Sequence, residues 1–375
     1  MVKIFQLIRS VHLGGAEIVA FNLAEFCNRD SVESFEFVVV ELHQTHDAYS
    51  FELKKKLQSI NIRTISIGGK SKIIALIFGP FILAQRILRE KPDIIHSHTD
   101  LPDLLLSNTI RLFSLFHLKF PKIIRTIHNT ELWSSHNKLG RYVERGFAND
   151  YVVGVSDGAL DAYKNLRGKY NLAHSSHQSI IYNGCAVPQK DEHPFKIEEK
   201  KINIAFCGRF ENQKGIDILI ERIELINSKF ADDFLFHLIG SGTYQNEILK
   251  LSQENNNVLV YDAIPNVANK LYAFDFLIMP SRFEGLGLIS IEASFSKLPV
   301  IAAVALGLSE TLPTEWPLKF QLENEDELLL IIENIKNLKF NLDALKTQAY
   351  SYVSEKFSHS SMIDSYSKLY LEINE

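Results

Sequence analysis

The chain has 375 residues, 46% of them hydrophobic and 23% charged, with a formal net charge of −5. That length exceeds what one hydrophobic core ordinarily serves, so two domains are expected. The acidic balance excludes a nucleic-acid binder that works through a global basic field. Cys27, Cys185 and Cys207 lie far apart, which excludes a disulfide framework or a cysteine zinc cluster and fits a reducing compartment. Met1 to Phe5 reads as a strand rather than a signal peptide. The longest apolar run, Ile73 to Ala84, is interrupted by Gly79-Pro80 and is too short to span a bilayer. A cytoplasmic location is expected, with association at a membrane surface left open.

Ile4 to Ile8 is a short apolar strand, followed by Gly14-Gly15-Ala16-Glu17 and an amphipathic helix to about Asn28. Strand, paired glycines and helix open a nucleotide-binding type of α/β unit. The full Gly-x-Gly-x-x-Gly pattern is absent, so a dinucleotide site is not supported. The two glycines would let the backbone approach a ligand, with helix amides facing an anion; a tight turn without a ligand explains them equally well. Further strands are expected at Phe35–Leu42, Ile62–Ile67, Asp93–Ser97, Lys122–Ile127, Tyr151–Val155 and Ser179–Tyr182. Helices are expected near Phe51–Gln58, Ile73–Glu90, Pro102–Leu115 and Arg141–Phe147, and after Ser156. Strands of near-continuous Ile and Val alternating with helices predict a parallel sheet covered on both faces, with ligands at the carboxyl ends of its strands.

The polar residues at those ends are His96, His98, His128, Asn129 and Ser156. His96 and His98, at period two on one strand, could share a metal, but no third ligand stands near; lining of a polar cleft is the better reading. His128 could donate to a substrate hydroxyl or relay a proton, or it could make a structural hydrogen bond. Lys70 to Lys91 and Arg111 to Phe120 mix basic and bulky apolar residues, which suits an anionic membrane interface. The first stretch reads more readily as a core helix; the second keeps no clean helical period and fits either.

Asn183-Gly184 closes the first series, and Gln189 to Lys201, polar with Pro188 and Pro194, is the expected linker. A second series begins with a strand at Ile202–Cys207, a turn from Gly208 to Gly215 and a helix at Ile216–Asn227. Strands follow at Phe234–Ile239, Val258–Tyr261, Asp275–Met279 and Pro299–Ile301. Helices are expected at Tyr244–Leu251, Glu325–Leu338, Leu342–Lys356 and His359–Ile373, with a short one opened by Gly307–Glu310. Arg209 and Lys214, in a glycine-bounded strand-to-helix turn, suit a phosphate group: a planar fork and a point charge beside helix amides. Gly215-Ile216 after Lys214 rules out the Walker pattern.

Pro280 to Ala293 holds Glu284 and Glu292, eight positions apart, with Gly285 and Gly287 between them and a helix opening near Gly287. Were every intervening residue helical, the carboxylates would lie roughly 12 Å apart, too far to act as a close pair on one atom. Such spacing suits a long ligand with a sugar, a diphosphate and a ribose in line. The plainer reading makes Glu284 a loop charge and Glu292 a solvated helix residue, although a lone Glu in so apolar a run needs a partner.

In this order and spacing, Gly14-Gly15-Ala16-Glu17, His128, Asn183-Gly184, Gly208-Arg209 with Lys214-Gly215, and Pro280-Ser281 through Glu292 resemble a known family. It is the retaining glycosyltransferases of the GT-B fold, specifically family 4 of the bacterial polysaccharide or lipopolysaccharide biosynthesis type. The resemblance spans nearly the whole chain. It implies an α/β fold of two Rossmann-like domains with parallel sheets facing across a cleft. Residues 1–186 would take the acceptor and 187–355 the nucleotide-sugar, while 356–375 would form a helix crossing back to the first domain.

The resemblance also implies roles. Arg209 and Lys214 would bind the donor diphosphate and stabilise the leaving group. Glu284 would contact the donor sugar, and the main chain of Gly285, Leu286, Gly287 and Leu288 would line the sugar and phosphates. Glu292 would hold the ribose hydroxyls, Gly15 would lie against the diphosphate, and His128 would face the sugar. The co-substrate would be a nucleotide-diphosphate sugar, with no metal and no other cofactor. The acceptor would be a glycan or a lipid-linked acceptor met at the inner membrane face, with no nucleic-acid partner. Leu286 stands where the family often has an aromatic residue, and Lys297 and Asp262 where glycine is usual; these departures bear on donor choice. No close carboxylate pair supports a double displacement, so retention would come from acceptor attack on the leaving-group side. Two competing readings are a nucleotide-sugar epimerase of similar fold and a non-catalytic sugar-binding subunit of a membrane glycan assembly. The glutamate spacing weighs against the first. The glutamates, the cation pair and His128 together weigh against the second.

Overall fold

The structure, a computed structural model, describes residues 1–12, 14–30, 35–45, 48–98, 100–133 and 136–374. It divides into two compact units: Met1–Asn183 with Ser360–Glu375, and Gly184–His359.

The first unit is built on β1 (Val2–Ile8), β2 (Phe35–Glu41), β3 (Arg63–Ser66), β4 (Ile94–Ser97), β5 (Lys122–Ile127), β6 (Tyr151–Gly154) and β7 (His177–Ile180). All pairings are parallel, in the order β3-β2-β1-β4-β5-β6-β7. The strands' alternation sorts their side chains onto two faces. Ile4, Ile8 and Val39 join one core with α1 (Gly15–Asp30) and with Met362, Tyr366 and Tyr370 of the terminal helix His359–Asn374. Phe5, Leu7, Val38 and Val40 face the other core. Along the chain the remaining helices are α2 (Ala48–Ser59), α3 (Lys72–Ile77), α4 (Gly79–Glu90), α5 (Asp100–Leu115), α6 (Asn137–Glu144) and α7 (Asp157–Lys169).

Two expectations shift. β7 lies two residues before the apolar run Ser179–Tyr182, because it is an edge strand whose ladder with β6, not its burial, sets the register. The helix expected over Ile73–Glu90 is two helices that meet at Phe78. Pro80 has no N–H to continue the ladder and its ring opposes the preceding turn. The same stretch also departs from a core helix. Ala75, Leu83 and Ile87 are buried, but Ile73, Ile77, Phe78 and Phe81 are more than half exposed. Leu115 and Phe116 are exposed as well, whereas Phe113 is buried. Between α4 and α5 lies a groove of about 550 Å³ lined by Phe81, Leu88, Arg89, Leu112, Phe116 and Leu118 among others.

Charge is buried in this unit too. Arg125 on β5 donates to Asp103 at 2.8 Å, to Glu144 and to Asp150 at 3.2 Å, and lies over the Phe147 ring. Arg167 also donates to Glu144, at 3.1 Å. One guanidinium thus ties together α5, β5, the end of α6 and the entry to β6.

The second unit contains β8 (Ile202–Cys207), β9 (Phe234–Ile239), β10 (Val258–Tyr261), β11 (Phe276–Met279), β12 (Val300–Ala303) and β13 (Lys319–Phe320). Again every pairing is parallel, in the order β10-β9-β8-β11-β12-β13. Its helices are α8 (Ile216–Phe230), α9 (Gln245–Glu254), α10 (Leu288–Phe295), α11 (Glu325–Lys336) and α12 (Leu342–Lys356). β13 escapes sequence reading because two residues carry no periodicity. The stretch Gln189–Lys201 has no helix or strand, yet it is strapped down: Lys270 holds Asp191 at 2.7 Å and Phe195 is buried in the core.

Candidate functional site

In each unit the strand order reverses beside its first strand, between β1 and β4 and between β8 and β11. Loops leaving the carboxyl ends of strands at such a reversal form the crevice where open α/β sheets take ligands. In the second unit these are Gly208–Gly215, after β8, and Pro280–Gly287, after β11.

The two loops are stitched together. Arg282 donates its backbone N–H to the Gln213 carbonyl at 2.9 Å, and its guanidinium grips the Asp217 carboxylate with two bonds of 2.7 Å. The guanidinium beside it holds the Asp217 carboxyl below the usual carboxylate range. Gly215 has φ +66°, and a Cβ there would stand 1.8 Å from the Pro280 carbonyl oxygen, so no other residue fits between the loops.

Lys214 and Glu284 meet across this seam. The ammonium donates to both carboxylate oxygens, at 2.7 and 2.8 Å, and the Ser281 hydroxyl donates to one of them at 2.7 Å. Glu284 is buried, while Arg209 is exposed and donates to Gln213 Oε1 at 2.9 Å. The structure thus joins Lys214 to Glu284 and leaves the Arg209 guanidinium at the surface of the same turn.

Gly287, at φ +74°, is the N-cap of α10. The residues from Glu284 to Gly287 are therefore not helical, so the 12 Å spacing drawn from a continuous helix does not apply. The helix start leaves the amides of Leu288 and Ile289 without an intrahelical acceptor. The Leu286 side chain is buried, so that residue offers a ligand its backbone. Glu292 sits within α10, and among the described residues no hydrogen bond or ion pair reaches its carboxyl; burial pushes it up to about 7. Its neighbours include Cys185 and Cys207, whose thiols are raised first by burial and then by the Glu292 charge.

In the first unit, Gly15 is exposed at the first turn of α1. The place of a Cβ at Gly14 is taken by the buried Glu17 carboxyl, 2.3 Å away. His128 follows β5 and is half-buried, and burial pushes its imidazole down to about 3. His98 Nδ1 lies 3.1 Å from His128 Nε2, and His98 Nε2 meets Gln6 Oε1. Gln6 Nε2 donates to the Tyr370 hydroxyl at 2.9 Å. That hydroxyl bonds His96 Nδ1 at 2.7 Å, and His96 Nε2 bonds the Thr126 hydroxyl at 2.7 Å. Thr126 in turn meets Tyr366 at 3.0 Å. Both ring nitrogens of His96 and of His98 are therefore occupied by hydrogen bonds, which removes the metal reading. Burial holds both imidazoles neutral, well below the usual histidine range.

No motif covers Gln6, Tyr366 or Tyr370, and the motif that contains Ser281 and Arg282 assigns neither a role. Gln6 had a signal, as the one polar residue in the run Ile4–Ile8. Tyr366 and Tyr370, one helical turn apart, had another, because a buried tyrosine hydroxyl requires a partner.

Comparison with known proteins agrees with this geometry. Residues 13–187 match the model described as Glycosyltransferase Family 4, and residues 201–344 match Glycosyl transferases group 1. An uncharacterized glycosyltransferase of Methanocaldococcus jannaschii is 26% identical over 97% of this chain and 96% of its own length. The O-antigen biosynthesis glycosyltransferase WclY of Escherichia coli is 25% identical over 74% of this chain and 78% of its own. The crystal structure of Anabaena HepE in complex with UDP-glucose superposes with a TM-score of 0.75 at 16% identity, covering 98% of this chain and 99% of that one. Two parallel α/β units, two family matches that together take in most of the chain, and relatives of nearly equal length lead to one conclusion: the chain is a glycosyltransferase of the GT-B fold.

Proposed function

We propose that this glycosyltransferase moves a sugar from a nucleotide-diphosphate sugar to a glycan or lipid-linked acceptor of a surface polysaccharide, with retained anomeric configuration. The observation that carries the reading is the seam of the second unit: Lys214 on Glu284, next to the N-terminus of α10, with the Glu292 carboxyl, unpartnered among the described residues, further along that helix. A leaving diphosphate needs charge neutralisation. Arg209, Lys214 and the first amides of α10 supply it, and protein groups suffice for it. Glu284 orients the sugar, and Glu292 accepts from the ribose hydroxyls. Gly15 and His128 keep the roles the resemblance implies, at the diphosphate and the sugar. UDP and UDP-glucose are bound in the HepE structures, and the named relatives include an O-antigen enzyme, which supports a nucleotide-sugar donor and a polysaccharide acceptor.

The apolar and basic surface of α3, α4 and the end of α5 would seat the enzyme on an anionic bilayer. The exposed Ile73, Ile77, Phe81 and Phe116 would enter its interface, with Lys72, Arg86, Arg89 and Lys119 among the headgroups. No helix among the described residues is long and apolar enough to cross a membrane.

A thermal-shift screen of nucleotide-sugars, followed by mass spectrometry of products formed with lipid extracts, tests the reading. The expected result is stabilisation by one nucleoside diphosphate and its sugar, and a glycosylated extract component. Conversion of donor without acceptor would favour an epimerase. Absence of stabilisation by any nucleoside diphosphate would favour a non-catalytic subunit.

A further inference from the structure

The hydrogen-bonded chain behind His128 has a direction, and one residue sets it. The Gln6 amide nitrogen donates to the Tyr370 hydroxyl, whose own proton then goes to His96 Nδ1, and the Gln6 oxygen faces His98 Nε2. A carbonyl oxygen only accepts, so His98 carries its proton on Nε2. A neutral imidazole has a single N–H, so His98 Nδ1 is bare and accepts from His128 Nε2 at 3.1 Å. His128 therefore holds its proton on Nε2, and its Nδ1 keeps a lone pair. Among the described residues nothing bonds that Nδ1, and His128 is the one member of the chain of histidines that is not fully buried.

We propose that Gln6 and Tyr370, acting through His98, are positioning residues that fix His128 as a hydrogen-bond acceptor, so that its Nδ1 receives a hydroxyl of the transferred sugar. This rests on the nucleotide-sugar reading above. Its physical content is the choice between two imidazole tautomers. Half a turn of the Gln6 amide would make Nε2 donate to His98, and His98 would then donate to His128. The sugar would then meet an N–H instead of a lone pair. A site built with one polarity rejects a partner of the other, because a buried polar group is left unpaired. Both Gln6 and Tyr370 are fully buried, and Tyr370 is wedged by edge contacts with Phe35 and Phe37. The terminal helix that carries Tyr370 thereby gains a role beyond closing a core: it holds the amide that sets the tautomer.

The test is the imidazole nitrogen spectrum of the uniformly ¹⁵N-labelled, full-length protein, with His128 and His98 assigned by the signals lost in His128→Asn and His98→Asn. Without ligand, both residues are expected as single tautomers protonated on Nε2. A His128 protonated on Nδ1, or an equal mixture, in the wild-type spectrum overturns the proposal, the two Asn variants serving only to assign the signals. Tyr370→Phe keeps the ring and removes the oxygen that holds the Gln6 nitrogen, and it is expected to turn the single His128 tautomer into a mixture; an unchanged spectrum in the folded variant counts against the proposal. UDP-glucose, or whichever nucleotide-sugar of the thermal-shift screen binds, is expected to shift the bare Nδ1 resonance, and its nucleoside diphosphate alone is not. If both bind and Nδ1 does not respond to the nucleotide-sugar, the sugar contact is overturned. If no nucleotide-sugar of the screen binds while the tautomer is as stated, the donor reading fails and the polarity stands.

Discussion

Lys214 serves two demands that compete. Its charge balances the buried Glu284 carboxylate, and the proposed donor would draw on the same charge. Lys214→Ala is therefore expected to lose activity and also about 2–3 kcal/mol of stability, because a buried carboxylate is stripped of its cation. Lys214→Ala combined with Glu284→Gln should regain most of the stability and none of the turnover. Arg209 is exposed, so Arg209→Ala should leave stability within about 0.5 kcal/mol while turnover falls roughly 100-fold. Denaturant titration beside a transfer assay separates these outcomes, and equal stability for wild type and Lys214→Ala would dismiss the shared role.

Glu292 makes a pH-dependent prediction. Its carboxyl is raised by burial from 4.5 to about 7 in the folded state. Between those values the folded state binds more protons than the unfolded one, so stability falls as pH rises through this window and levels off above it. Glu292→Gln should remove that slope, about 3 kcal/mol in all. Nucleotide binding should run the other way, strengthening as pH rises past 7 and the carboxylate becomes a better acceptor for ribose hydroxyls. Denaturation and nucleotide titrations from pH 5 to pH 8 measure both. A parallel slope in wild type and Glu292→Gln would assign the effect to other groups.

At the scale of elements, the first unit depends on Arg125. It neutralises carboxylates from α5, α6 and the entry to β6 at once, in a place no water reaches. Arg125→Met keeps much of the apolar bulk but leaves three acidic groups together. It should destabilise the unit by more than about 3 kcal/mol, seen as a lowered first transition on heating. An unchanged transition would mean that the carboxyls simply protonate. This cluster was invisible in the chain, because Asp103, Arg125, Glu144 and Asp150 stand on different elements with no shared spacing and each alone reads as a surface charge. The helix break at Phe78 was legible in Gly79-Pro80, whereas the outward turn of Ile73 and Ile77 was not. An apolar residue's periodicity shows that it shares a face, not which neighbour covers that face.

At the scale of the molecule, the terminal helix belongs to the first unit although it follows the whole of the second. Met362, Ile363, Tyr366, Tyr370 and Ile373 are buried against strands formed some three hundred residues earlier in the chain. Truncation before Ser360 should therefore abolish the cooperative unfolding of the first unit and spare that of the second, as two calorimetric transitions would show. The exposed apolar surface gives a second prediction. Phe81→Glu with Phe116→Glu should release the protein from vesicles of anionic phospholipid and leave its melting temperature within a few degrees. Phe113, which the sequence alone could not separate from Phe116, is the wrong probe because it is buried. Equal sedimentation of wild type and double variant would remove the membrane reading.

Much of this protein was determined locally. Apolar strands alternating with helices set two parallel-sheet units. Gly-bounded turns marked the loops at their carboxyl ends, and Glu284 and Glu292 marked the stretch that opens α10. Those features live in residues near one another in sequence, where period and spacing can be read. What tertiary structure alone decided is pairing: Lys214 on Glu284, Arg282 on Asp217, Arg125 among three carboxyls, and Tyr370 on the Gln6 amide that meets His98. Each joins residues from different elements or from opposite ends of the chain. The free energy of a buried polar group depends on which partner folding brings to it, and a linear sequence does not state that partner.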